Sequence, residues 1–119
     1  MQLQKLKQRN FEQILGENYE VEIKYLEANI NYTTLYFVSG IKKISCYTLL
    51  RFEERLRANQ AYKRINKTFI VNMNFVEQID LNNQNLTINN GPVLQVSRRK
   101  MKELERDFTS FRKPVFSNR

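Results

Sequence analysis

The segment I-K-Y-L-E-A-N-I-N-Y-T-T-L-Y-F, residues 23–37, decides the fold. Its start alternates apolar residues, Ile23 and Tyr25, with charged ones, and Y-T-T-L-Y-F-V at 32–38 is dense in β-branched and aromatic side chains. A period of two is typical of a half-buried strand, because successive side chains point to opposite faces of a sheet. The Asn-rich residues 29–31 predict a turn. The segment therefore predicts two strands joined by a turn.

The rest of the chain continues this pattern in short pieces. Strands are predicted at 41–47, 62–65, 69–71, 76–81, 86–88 and 93–96, with turns at 39–40, 82–84 and 90–91. Many short strands separated by Asn and Gly turns favour stacked antiparallel sheets, as a sandwich or a partly open barrel, over a parallel sheet. We therefore expect a mainly β fold. In the strand at 41–47, we expect Ile41, Ile44 and Cys46 to point mostly inward.

Two or three short helices complete the predicted fold. Residues 1–15 have a partial apolar face, residues 48–57 begin with Thr48 as a good N-cap, and a further helix begins after Ser97. The apolar positions at helical spacing are Leu49, Phe52 and Leu56 in the second helix and Met101, Leu104 and Phe108 in the third. A chain of 119 residues is long enough for one domain with a real core.

The chain is strongly basic, and the excess charge is concentrated in its second half. Lys and Arg outnumber Asp and Glu by 20 to 12, which gives a net charge of +8 and a pI near 9.8. Residues 1–60 hold 9 basic and 7 acidic side chains, whereas 61–119 hold 11 and 5. Such a distribution is typical of proteins that bind a polyanion, and charge alone does not separate DNA from RNA or an anionic membrane.

Composition excludes several classes of function. With one cysteine and no histidine, the chain lacks the ligands of an ordinary zinc site and the partners of a Ser-His or Cys-His nucleophile. Three glycines do not form a phosphate-cradling loop. We therefore expect no enzyme activity and no cofactor. The lone Cys46 and the lack of a long apolar run or signal peptide predict a soluble, cytoplasmic protein without membrane insertion.

Three polar clusters are candidates for binding. The first turn of the last predicted helix contains Arg98, Arg99 and Lys100. Cations there are repelled by the positive end of the helix dipole, and a phosphate group would be attracted to it. A second cluster precedes the apolar residues 69–71, and its residues are Arg64, Asn66, Lys67 and Thr68. Side chains of these types bind phosphates and base edges. A third cluster, weak on its own, consists of Asn31, Tyr32, Thr33 and Thr34. Solvated turns and ordinary sheet packing are the simpler alternatives.

Four blocks of the sequence together resemble one family. They are IKYLEANINYTTLYF (23–37), TLLRFEERL (48–56), YKRINKTFIVNMNFVEQID (62–80) and NNGPVLQVSRRKMKELE (89–105). In this order they are similar to the LytTR family of bacterial DNA-binding domains. The resemblance implies a LytTR-like β-sandwich that binds double-stranded DNA through loops in the major groove. It divides the chain into an N-terminal helical segment (1–18), a LytTR-type domain (19–108) and a C-terminal tail (109–119).

The resemblance also implies how the domain acts. Family members regulate transcription at imperfect direct repeats in promoters, commonly as two copies and as output domains of response regulators. Their contacting loops fall on the same three clusters, with Arg98 and Lys67 as the first candidates. Many members have His where this chain has Asn66, so that contact must differ. These 119 residues show no receiver domain, so we expect a regulatory partner, a larger parent protein or constitutive binding.

Two other functions fit the residues. One is a protein-interaction module, titrated by a membrane or signalling partner through the N-terminal helix and the tail, without DNA reading. The other is single-stranded RNA binding on the aromatic residues Tyr32, Tyr36 and Phe37. The aromatic rings follow the alternation of sheet packing, which disfavours the RNA hypothesis.

Overall fold

Nine short strands and two α-helices form the part of the chain that the structure, a computed structural model, describes: residues 22–107 and 115–117. In chain order the elements are β1 (Ile23–Ala28), β2 (Thr33–Phe37), β3 (Lys42–Ser45), α1 (Leu49–Arg55), β4 (Tyr62–Arg64), β5 (Phe69–Asn72), a 3-10 turn (Met73–Phe75), β6 (Val76–Asp80), β7 (Asn85–Ile88), β8 (Val93–Gln95), α2 (Arg98–Asp107) and β9 (Val115–Ser117). The helix predicted at 1–15 and the apolar position Phe108 lie outside the described residues.

Five strands form the first sheet, in the order β3-β2-β1-β5-β4 with antiparallel neighbours throughout. The central strand β1 sets the register, because Leu26 lies opposite Leu35 of β2 on one side and Ile70 of β5 on the other. A slip by one residue would move every side chain to the opposite face of the sheet. The matched apolar triplet therefore fixes the alignment of the three middle strands.

The second sheet has the order β8-β7-β6-β9. Its first three strands are antiparallel, as predicted, while β9 pairs with β6 in parallel, with Ile79 opposite Phe116. The turns predicted at 82–84 and 90–91 are confirmed, and Gln84 and Asn90 each have a φ of 54°. The mainly β fold with stacked sheets and short helices is thus confirmed, and β9 is an addition that the irregular tail sequence did not predict.

Both faces of the first sheet are buried. One face packs against α1, and its core residues are Ile23, Leu26, Leu35, Phe37, Leu49, Phe52 and Ile70. The opposite face packs against the second sheet and α2, through residues that include Tyr25, Val71, Ile79, Leu86, Met101 and Leu104. The sheet therefore lies between two cores, and packing on both of its faces fixes the positions of its strands.

The strand β3 differs from the prediction for residues 41–47. Ile41 and Ile44 are 56% and 46% exposed, and Cys46 is only half-buried. Ser45 is buried instead, and the Nζ of Lys43 lies 5.6 Å from the centre of the Phe37 ring. Since β3 is an edge strand, its inward face meets the margin of the core, where a small hydroxyl and a lysine stem fit.

Tyr62 has a hydroxyl whose titration is coupled to folding. The hydroxyl donates to the carbonyl oxygen of Ile23 at 3.4 Å. Burial, assisted by the Glu22 carboxylate, raises the pKa of Tyr62 from 10.0 to about 12, and a hydrogen bond with the Asn72 side chain opposes the rise only in part. A tyrosine whose pKa is higher in the folded chain retains its proton more strongly when folded. Its contribution to stability is therefore complete below the unfolded pKa and is lost as the pH rises through the folded pKa.

We expect the free energy of unfolding to fall between pH 10 and about 12, and to fall less in Tyr62→Phe, which lacks the titrating hydroxyl. Urea unfolding of both proteins at a series of pH values measures the difference. If the free energy of unfolding falls equally in wild type and Tyr62→Phe over this pH range, the coupling of Tyr62 titration to folding is contradicted.

Candidate nucleic-acid interface

The three polar clusters predicted from the sequence lie side by side at one edge of the molecule. The amide of Ala28, at the end of β1, donates to the carbonyl of Thr68 at 2.7 Å, and the amide of Ser97 donates to the carbonyl of Ile65 at 2.9 Å. The loop between β4 and β5 is therefore central, with the β1–β2 turn on one side and the start of α2 on the other. We call residues 29–34, 65–68 and 97–100 together the basic edge.

The β1–β2 turn is closed by its own hydrogen bonds. The Asn29 amide donates to the Tyr32 carbonyl and the Asn29 Nδ2 donates to the Thr34 Oγ1, both at 2.8 Å. Thr33 is fully buried and its hydroxyl donates to the Tyr47 carbonyl at 2.7 Å. Of the predicted contacts, Asn31 and Tyr32 are therefore exposed, while Thr33 and Thr34 support the turn from within.

Asn66 shapes the central loop. Its Oδ1 accepts the amides of Thr68 and Phe69 at 2.7 and 2.8 Å, and its Nδ2 donates to the Gln95 carbonyl at 2.6 Å. These bonds join the loop to the end of β8, and both acceptor positions of Oδ1 are occupied by backbone amides. The Asn66 side chain, predicted to contact a base, therefore bonds to the protein itself. Thr68 itself is half-buried.

Arg64 holds the same loop from behind. Its Nε donates to the Asn66 carbonyl at 2.8 Å, its Nη2 to the Lys67 carbonyl at 2.9 Å, and its Nη1 pairs with the Glu53 carboxylate of α1 at 2.7 Å. Three of the five N–H donors of this guanidinium are thus used within the protein. Lys67 is exposed at the tip of the loop that Arg64 holds.

The start of α2 confirms the predicted cap. The Ser97 Oγ accepts the Lys100 amide at 3.3 Å, and Met101 and Leu104 are buried beneath the helix. Arg98 and Arg99 are exposed, whereas the Lys100 Nζ lies 3.4 Å from Glu103 and is half-buried. Two cations thus project from the positive end of the helix, an arrangement that binding of an anion would relieve.

The sequence did not reveal the division between exposed and supporting side chains. The bond from Asn66 to Gln95 and the pairing of Arg64 with Glu53 join residues that are 29 and 11 positions apart, and no local pattern signals them. The bonds from Thr68 and Phe69 to Asn66 are local, and an Asn at the start of a turn was an available signal for them. The turn predicted at 29–31 also contains Ile30, whose side chain is 97% exposed within the basic edge. An apolar residue inside a polar turn was the available signal.

A cleft of about 210 Å³ adjoins the basic edge between α1, β4 and α2. Its charged lining is mainly basic, with Glu53 paired with Arg64 and Glu103 paired with Lys100. The other charged residues of the lining are Arg57 and Lys63. In 22–107 and 115–117 no three potential metal ligands cluster together. Nor does any helix in these ranges have the length and apolarity to span a membrane.

Comparisons with known proteins find similar domains. The family described as "LytTr DNA-binding domain" matches residues 20–108. Among solved structures, the LytTr DNA-binding domain of a Bacillus cereus protein superposes with a TM-score of 0.60 and 24% sequence identity, over 71% of this chain and 78% of that one. No curated protein sequence matches the chain significantly.

The hydrogen bonds of Asn66 predict its effect on stability. Asn66→Ala leaves the amides of Thr68 and Phe69 without their acceptor, and we expect a loss of about 1–3 kcal/mol in the free energy of unfolding. Asn66→Asp keeps the acceptor and should lose less. Lys67→Ala, which removes only an exposed side chain, should stay within about 0.5 kcal/mol of wild type. Urea unfolding compares the three variants, and an Asn66→Ala protein as stable as Lys67→Ala would refute the supporting role.

Proposed function

The chain belongs to the LytTR family of DNA-binding domains, and from this we propose that it is a sequence-specific transcription regulator that binds promoter DNA through the basic edge. The observation that carries the proposal is the alignment of three polar segments by backbone hydrogen bonds, Ala28 to Thr68 and Ser97 to Ile65. Loops held in this way present their exposed side chains in a fixed order along one surface.

Affinity comes largely from phosphate contacts. Lys67, Arg98 and Arg99 are exposed cations on this surface, and each phosphate that they neutralise releases counterions from the DNA. Lys100, on the first turn of α2, adds positive potential near the same phosphates. Binding should therefore weaken steeply with salt.

Specificity comes from fewer groups. Arg98, at the capped end of α2, has the planar fork that matches the O6 and N7 of guanine, and Asn31 has the amide that matches adenine. Tyr32 adds an exposed hydroxyl beside Asn31. Lys67 reaches either guanine or phosphate from the tip of the central loop.

The remaining predicted residues act by positioning. Thr33 and Thr34 hold the β1–β2 turn, and Arg64 and Asn66 hold the central loop through the bonds described above. Thr68 contributes its carbonyl to the Ala28 amide. Asn66 thus replaces a titrating histidine of other family members with a structural amide.

The proposed setting is the promoter of a bacterial gene, in the cytoplasm. Two copies bind adjacent direct repeats, each using one basic edge, and the input signal reaches the domain through a regulatory partner or an attached domain. If the protein gives no gel shift on duplex DNA even at low salt, a protein-interaction module is the better interpretation.

Arg98 and Lys102 distinguish base reading from phosphate binding. Both are exposed on α2, but only Arg98 lies at the capped end within the basic edge. We expect Arg98→Ala to weaken binding to the selected site by about 1–3 kcal/mol and to reduce discrimination. Lys102→Ala should weaken specific and random DNA alike and lower the salt slope by about 1.

Sequencing of genomic fragments bound by the wild-type protein supplies the specific site, and fluorescence anisotropy across a salt series measures both variants. Equal losses by both variants on specific and random duplexes would refute the assigned roles.

A further inference from the structure

Among residues 22–106, Ile30 has the most exposed large apolar side chain. It is 97% exposed, while Val93 follows at 60% and Ile41 and Leu50 at 56%. A side chain this exposed makes almost no packing contact, so it contributes little to folding. Isolated apolar residues are common on protein surfaces and by themselves need no explanation. Ile30 does need an explanation, because it lies within the basic edge on a turn that is closed by hydrogen bonds.

The turn that carries Ile30 is fixed. Asn29 bonds to both the Tyr32 carbonyl and the Thr34 hydroxyl, and Thr33 is anchored to the Tyr47 carbonyl. Residues 30 and 31 thus form the tip of a loop that is tied down on both sides. The hydrogen bonds on both sides of the tip support a conformation in which the Ile30 side chain is exposed to solvent.

The neighbours of this turn determine what Ile30 meets. Ala28, two residues before it, bonds to Thr68 of the central loop, whose tip carries the exposed Lys67. Since the two loops share an edge, a DNA duplex that contacts Lys67 lies close to Ile30. An isoleucine side chain offers no hydrogen bond, and the apolar group exposed in the major groove is the 5-methyl of thymine.

We propose that Ile30 is a specificity-determining residue that recognises a thymine by packing against its 5-methyl group. The inference rests on the proposed DNA-binding function and adds a base contact that involves no hydrogen bond. It assigns the apolar part of the readout to the β1–β2 turn, beside the polar and charged contacts of Asn31, Lys67 and Arg98.

The test removes the methyl group from the DNA and the side chain from the protein in turn. Binding of wild type and Ile30→Ala is measured on the selected duplex and on duplexes in which single thymines are replaced by deoxyuridine. At one thymine position, we expect deoxyuridine to weaken wild-type binding about three- to ten-fold, the scale of one or two buried apolar carbons. Ile30→Ala should lose a similar factor on thymine DNA and lose little more on deoxyuridine DNA.

A matched control is Ile41→Ala, which shortens an equally large exposed side chain in the β2–β3 connection, at the end of β2 away from the basic edge. It should bind both duplexes as wild type does. Circular dichroism verifies that both variants are folded.

Two results would overturn the inference while leaving the proposed function intact. One is Ile30→Ala binding like wild type. The other is an equal loss on thymine and deoxyuridine DNA at every position, which would indicate a wedge between base pairs or a backbone contact. If the wild-type protein itself does not bind duplex DNA, the proposed function fails, and this inference fails with it.

Discussion

The burial of β1 on both faces is the constraint on which the rest of the structure depends. Tyr25 and Leu26 are consecutive residues, and one faces the second sheet while the other faces α1. A slip by one residue would exchange Tyr25 and Leu26 between two different cores, so packing on both faces specifies the register of the strand. Because β1 pairs with both β2 and β5, its alignment places Ala28 opposite Thr33 and beside Thr68. The geometry of the basic edge follows from packing in the middle of the sheet.

The polar side chains in and next to the basic edge are of two kinds: some hold the loops in place, and others are exposed to solvent. Arg64 and Asn66 carry six hydrogen bonds between them, to α1, to β8 and within their own loop. Their bonds order backbone that would otherwise be mobile, so little conformational entropy remains to be lost when a ligand binds. The exposed cations sit on this ordered support. Arg98 and Arg99 oppose the dipole of α2, and the apolar contacts of Met101 and Leu104 offset that unfavourable local interaction.

Much of the fold was predictable from the sequence because its signals are local. The strand-forming residues of β1, the Thr48 and Ser97 caps and the Asn turns each depend on residues within a few positions of one another. The half-buried strand with a period of two was wrong for β1, because a register shift places Ile23 and Tyr25 in opposite cores. The family resemblance identified the arrangement of the sheets. The predictions were wrong or incomplete for features that depend on contacts between residues distant in sequence. The outward face of Ile44 depends on β3 being an edge strand, and β9 depends on its pairing with β6.

The candidate site was predictable only in part, for the same reason. Residue type and the resemblance pointed to the three clusters, but which members are exposed depends on partners such as Gln95, Glu53 and Tyr47. When the side chains that bond within the protein are excluded, three or four exposed side chains remain as proposed base contacts. A good base contact is worth about 1–3 kcal/mol of discrimination, and specific sites are typically favoured by about 4–10 kcal/mol. Three or four reading groups, as proposed for one basic edge, supply about 3–12 kcal/mol on this scale, which spans that range. Two linked copies on adjacent repeats, as proposed, would add further discrimination, since the second binds at a high effective concentration.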